Sequence, residues 1–155
     1  MSRSRVYTVG FNNVTLAAVQ DLFSLLATAN MAFEVHYVKF GQVTQSAIGG
    51  LRLRLRRLPA TVTVGSGGTA PTPAPIFPND AAATVTARVN DTVQATTSGT
   101  AIDLPDTWDL PFGYLWMPPE SDRIIIKPSQ AFIVSLDSTP GSLVANGHMA
   151  FGELF

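Results

Sequence analysis

Leu51-Arg52-Leu53-Arg54-Leu55-Arg56 alternates leucine and arginine without a break. Successive side chains of a β-strand point to opposite faces. This spacing therefore predicts a strand with Leu51, Leu53 and Leu55 turned to a core and Arg52, Arg54 and Arg56 turned outward. Working outward from it, residues 5–11, 33–42, 60–64, 84–89, 93–97, 114–117, 123–127, 131–136 and 148–154 are rich in β-branched and aromatic side chains. Clusters of Gly, Pro, Asn and Asp separate them, which is the punctuation of short strands joined by turns. The chain is expected to be mainly β, an antiparallel β-sandwich of jelly-roll-like form. One segment reads differently. Leu16, Val19, Leu22, Phe23 and Leu26 fall on one side of a helical wheel, with Ala17, Gln20, Asp21, Ser24 and Thr28 on the other. That pattern predicts one amphipathic α-helix over 14–29, capped by Asn13 or Thr15.

The length of 155 residues suits a single domain, 1–155, able to bury about two-thirds of its unfolded surface. Charged residues make up only 14% of the chain, against roughly 25% in ordinary soluble domains. On an expected surface of about 7,500 Å² that is one charge per roughly 360 Å². Mean hydropathy of +0.22, nine Phe and two Trp argue against disorder. There is no cysteine, hence no disulfide, thiolate metal site or thiol nucleophile. Residues 22–33 are too short an apolar run to span a bilayer, and prolines and glycines break 58–79, so a soluble, unprocessed protein with no membrane partner is expected.

Residues 65–80, Gly65-Ser66-Gly67-Gly68-Thr69-Ala70-Pro71-Thr72-Pro73-Ala74-Pro75-Ile76-Phe77-Pro78-Asn79-Asp80, offer neither helix nor strand. Glycines make the first part flexible, and Pro71, Pro73, Pro75 and Pro78 stiffen the second into an extended rod bearing Ile76 and Phe77. Two readings stand: a mobile surface loop, or an arm lying across a neighbouring subunit. The arm is preferred, because long loops without structure are rare in compact domains unless they serve a purpose.

The catalytic inventory is thin. His36 and His148 lie in strands, where a hydrogen-bonded structural role is expected, and no histidine pair has metal-ligand spacing. A G-x-S-x-G elbow is absent, and Gly65-Ser66-Gly67-Gly68 lacks the lysine of a phosphate loop. Asp103, Asp106 and Asp109 surround Trp108 without the spacing of a calcium loop. They are expected to be turn residues and charge partners, and sugar binding is an alternative. No enzyme, cofactor or metal centre is predicted.

Charge is sorted along the chain. Residues 1–60 hold seven basic and two acidic residues, and 61–155 hold three basic and nine acidic. Outward arginines on one strand face stand about 6.8 Å apart. They could pair within the chain with Asp103, Asp106, Asp109, Glu120 or Asp122, meet carboxylates of another subunit, or track nucleic-acid phosphates. A net charge of −1 and an isoelectric point near 6.0 oppose the last, so no direct nucleic-acid partner is expected.

The order of these features resembles a known family. It runs from the segment containing Gln20-Asp21-Leu22-Phe23, through Lys39-Phe40-Gly41-Gln42, Leu51-Arg52-Leu53-Arg54-Leu55-Arg56-Arg57 and the 65–80 loop, to Tyr114-Leu115-Trp116-Met117-Pro118-Pro119-Glu120 and Phe151-Gly152-Glu153. In this it is similar to the head-decoration (cement) proteins of tailed bacteriophages. The resemblance implies a virion structural protein on the capsid exterior, binding the major capsid protein as a homo-oligomer, typically a trimer. It implies contact through Arg3 and Arg5, the arginine row Arg52, Arg54 and Arg56, the arm residues Pro71, Pro73, Pro75, Ile76 and Phe77, and the aromatics Trp108 and Tyr114. Trp116 fits an interface and a sandwich core equally. A trimeric carbohydrate- or receptor-binding module of a virion, with a site at Trp108, is the alternative.

Overall fold

The structure, a computed structural model, describes residues 4–44, 47–59 and 61–155. Four strands come first: β1 (Arg5–Leu16), β2 (Asp21–Leu26), β3 (Ala32–Gln42) and β4 (Gly50–Leu58). A middle segment carries β5 (Val62–Thr63), β6 (Ala74–Pro75), β7 (Thr86–Asp91) and β8 (Thr96–Thr97). Then follow β9 (Ile102–Asp109), β10 (Tyr114–Trp116), β11 (Ile125–Ile126), β12 (Ala131–Leu136) and β13 (Leu143–Leu154). A single 3₁₀ turn at Glu120–Asp122 is the only helical element among the described residues, and no helix is long and apolar enough to cross a membrane.

The chain is an antiparallel β-sandwich. One sheet runs β10-β3-β13-β1-β6, with β11 on the same edge of β3 as β10. The other runs β7-β2-β12-β4-β9, and β5 and β8 form a small separate ribbon. Aromatic pairs join the two sheets: Phe11 meets Phe23 at 5.3 Å between ring centroids, Phe40 meets Trp108 at 5.0 Å and Trp116 stacks on Phe132 at 6.3 Å. Leu51, Leu53 and Leu55 are buried in this interior as their alternation requires, and Arg52, Arg54 and Arg56 face away. Each fully buried large side chain here contributes about 1.5–3 kcal/mol.

The expected helix over 14–29 is not formed. β1 continues to Leu16, bulging at Asn12 and Asn13, and β2 begins at Asp21. Asn13 takes a left-handed φ of 56° there, and its N–H donates to Asn146 Oδ1 at 2.6 Å, so it shapes a bulge and caps no helix. The helical pattern misleads because β2 is buried on both faces, from Asp21 through Leu25. Phe23 and Leu25 face the sandwich interior. On the other side the middle segment covers Leu26 together with Leu58, Ala131 and Ile133 in a second apolar cluster containing Ala95. A strand without a solvent face loses its period of two, and chance spacing then imitates a helix.

The middle segment is also more ordered than its composition suggests. The glycines of 65–68 allow close approach. A Cβ on Gly68 would run into the carbonyl oxygen of Val89, and one on Gly65 into that of Val93. Ser66 bridges Val93 and Thr69 bridges Val89. Beyond them the proline rod contributes β6 to the edge of β1, where the Ile76 N–H donates to Val6 O at 2.9 Å. The segment expected to be free of secondary structure is thus laid along its own chain. β9 is an unforeseen strand, since Pro105 argues against one. It lies at a sheet edge, where a missing N–H costs no ladder bond.

Candidate functional site

The arginine row is largely neutralised within the chain. β4 and β9 pair so that Arg56 stands opposite Asp103 and Arg54 opposite Pro105. Asp103 accepts from Arg54 Nη1 and Arg56 Nε, each at 2.9 Å, and Arg54 Nε lies 2.6 Å from Asp137. Burial pushes the Asp103 carboxyl up, but hydrogen bonds and charge from Arg56, then Arg54, outweigh it and hold it below the usual carboxylate range. Of the three outward arginines only Arg52 stays exposed. The guanidinium of Arg5 sits 4.7 Å from the Phe155 ring centroid, and Arg3 lies outside the described residues.

Trp108 and Tyr114, expected as exposed anchors, are buried instead. The inner face of β9 carries Ile102, Leu104, Asp106 and Trp108, paired with Arg57, Leu55, Leu53 and Leu51. Trp108 is wholly buried against Phe40, with its indole N–H donating to Phe112 O at 3.0 Å. Tyr114 stacks on Phe40, and its hydroxyl donates to Asp106 Oδ2 at 2.8 Å. Burial, and then Asp106, raise the Tyr114 pKa far above its ordinary value. The alternation along β9 explains the difference: Asp106 and Trp108 fall on its inner face at the sandwich rim. An aromatic–Asp sugar site centred on an exposed Trp108 is therefore not present.

Tyr114 and Asp106 close one end of the flank between the edge strands β9 and β10. The other end stays open. Ile102 and Leu104, on the inner face of β9, are 50% and 43% exposed, and across from them Ile125 of β11 is 50% exposed. Beside them runs a groove of about 460 Å³ lined by Leu55, Ile102, Leu104, Ile124 and Ile125, and bordered by Arg57, Arg123, Lys127 and Asp122. Phe112, Leu115 and Met117 are exposed as well, with Leu115 on the outer face of β10. Six of the fourteen exposed large apolar side chains among the described residues thus fall within 102–125. This concentration was invisible in the sequence, where the same residues read as turns and short strands.

The 65–80 segment sits at the opposite edge of the first sheet. Pro73 is buried, Pro71 and Pro75 are half-buried, and Ile76 and Phe77 are exposed. His36 Nε2 lies 2.9 Å from Glu34 Oε1, which also accepts from Arg123 Nη1 at 3.1 Å, while His148 meets Tyr37 edge-on. Two buried carboxylates have structural partners. Glu153 Oε1 accepts from the N–H groups of Thr84 and Val85, and Asp21 accepts from the Ser135 hydroxyl and the Ala95 N–H. Burial raises the Asp21 pKa. Among the described residues no group of three or more His, Asp or Glu side chains could hold a metal ion. No protein-family model, curated protein or solved structure matches the chain.

Proposed function

We propose that the protein is a virion structural component, a decoration protein that binds capsid subunits on the shell exterior as a homo-oligomer, a trimer by the family resemblance. The observation that carries this reading is the concentration of exposed apolar side chains within 102–125, where Ile102, Leu104 and Ile125 line one groove beside sheet edges unpaired among the described residues. Solitary proteins blunt or cover such edges, and apolar side chains left exposed beside them favour association. The connectivity supports the same reading. With β5 to β8 set aside and β10 and β11 taken as one interrupted strand, the eight main strands order as first, eighth, third and sixth in one sheet. The other sheet holds the second, seventh, fourth and fifth. That is the jelly-roll arrangement, an architecture of viral capsid and lectin domains. Its work is binding energy, with no reaction, cofactor or nucleic-acid contact assigned.

Sedimentation equilibrium of the purified chain, and its co-sedimentation with shells of the major capsid protein from the same virus, test the proposal. A trimer that decorates shells is expected. A monomer that leaves shells bare would overturn it.

A further inference from the structure

The open end of the flank has the form of a site that lacks one strand. Ile102 and Leu104 lie on the inner face of β9, with Leu55 beside them on β4, yet the first two stay only half covered. On the opposite sheet β11 is only Ile125–Ile126, too short to reach across. The outer edges of β9 and β11 are both unpaired among the described residues. The border is basic: Arg57 and Lys127 make no ion pair among the described residues, Arg123 is held by Glu34, and Asp122 is the one acid. An occupant that satisfies this place must be extended, apolar at alternate positions, and acidic.

Among the described residues this chain offers no such occupant. The sequence up to the start of β1 carries Arg3 and Arg5, which share the charge sign of Arg57 and Lys127. The exposed Ile76 and Phe77 are tethered to the opposite edge of the first sheet by the pairing of β6 with β1. We infer that the groove between β9 and β11 receives an extended acidic–apolar segment of another polypeptide, added as a short strand with alternate side chains seated on Ile102, Leu104 and Ile124. This rests on the assembly reading for the source of the segment, a capsid subunit. The groove chemistry stands on the geometry alone.

The probes are a short synthetic peptide alternating Val and Glu, its Val–Lys counterpart, and decanoate, each titrated into the full chain and followed by backbone amide resonances. The Val–Glu peptide is expected to shift amides of residues 101–104 and 124–127, more tightly at low salt. Arg57→Glu should weaken it about tenfold or more, and Leu104→Asp should abolish it while the variant retains a cooperative unfolding transition. Absent groove shifts, equal binding of the Val–Lys peptide, or binding of decanoate alone would each overturn the inference, the last in favour of a small amphiphile. If the groove binds the Val–Glu peptide while shells stay bare, the inference stands and only the decoration reading fails. Shells decorated equally well by the Leu104→Asp chain would sink the inference and leave that reading intact.

Discussion

Asp103 shows how one side chain decides between readings of a surface. It takes a hydrogen bond from each of two arginines, so charges that look like an interface are spent inside the molecule. Its side chain is 29% exposed, so solvent screens the pairs, and their loss in Asp103→Asn is expected to cost about 1 kcal/mol at neutral pH. Because the folded-state pKa lies below the ordinary 3.8, this stability is complete above that value and is lost as pH falls through the folded one. Urea unfolding of both proteins from pH 7 to 2 should show the gap closing only at the acid end. Asp21 has the opposite sign: its raised pKa means that ionisation opposes folding as pH rises above 3.8. Trp108 makes the third case. As a buried core residue, Trp108→Ala is expected to lower stability by about 3–5 kcal/mol, measurable by the same unfolding. A Trp108 that could be removed at no cost to stability would contradict its place in the core.

At the scale of elements, β4 was legible because it keeps a solvent face, and alternation survives only where one face is wet. β12, with the same period in principle, is buried at all six positions, and β2 at five of six. Covering both faces erases the pattern, and the sequence of β2 then imitates a helix. β9 was hidden by Pro105, a residue that marks a sheet edge only after the sheet is known. The candidate groove was illegible for a related reason. Ile102, Leu104 and Ile125 look like any strand residues in sequence, and only the missing cover of the folded sandwich exposes them. Hydrogen exchange checks the revised assignment: amides of 21–26 should be protected together with those of β12, and far-UV circular dichroism should lack a helical signature. The glycine-rich segment gives a matching test. Gly68→Ala is expected to destabilise by about 1–3 kcal/mol, because its methyl group meets the Val89 carbonyl. A neutral effect there would restore the reading of a flexible glycine segment.

For the whole molecule, the sparse charge now has a location as well as a frequency. Ion pairs consume Arg54, Arg56, Arg88 and Arg123. Much of what remains for a partner is the apolar flank of 102–125 and its basic groove. The sandwich also has a temporal property. β12 is the middle strand of one sheet and β13 the middle strand of the other, yet both follow all the remaining strands in the chain. During synthesis neither sheet has its centre until residues 131–154 leave the ribosome, and every earlier strand waits with an unpaired edge. Nascent chains arrested before β12 should therefore be protease-sensitive throughout, with no folded intermediate to protect the first hundred or so residues. Folding of this sandwich therefore waits for β12 and β13, and its aggregation risk accumulates until they emerge.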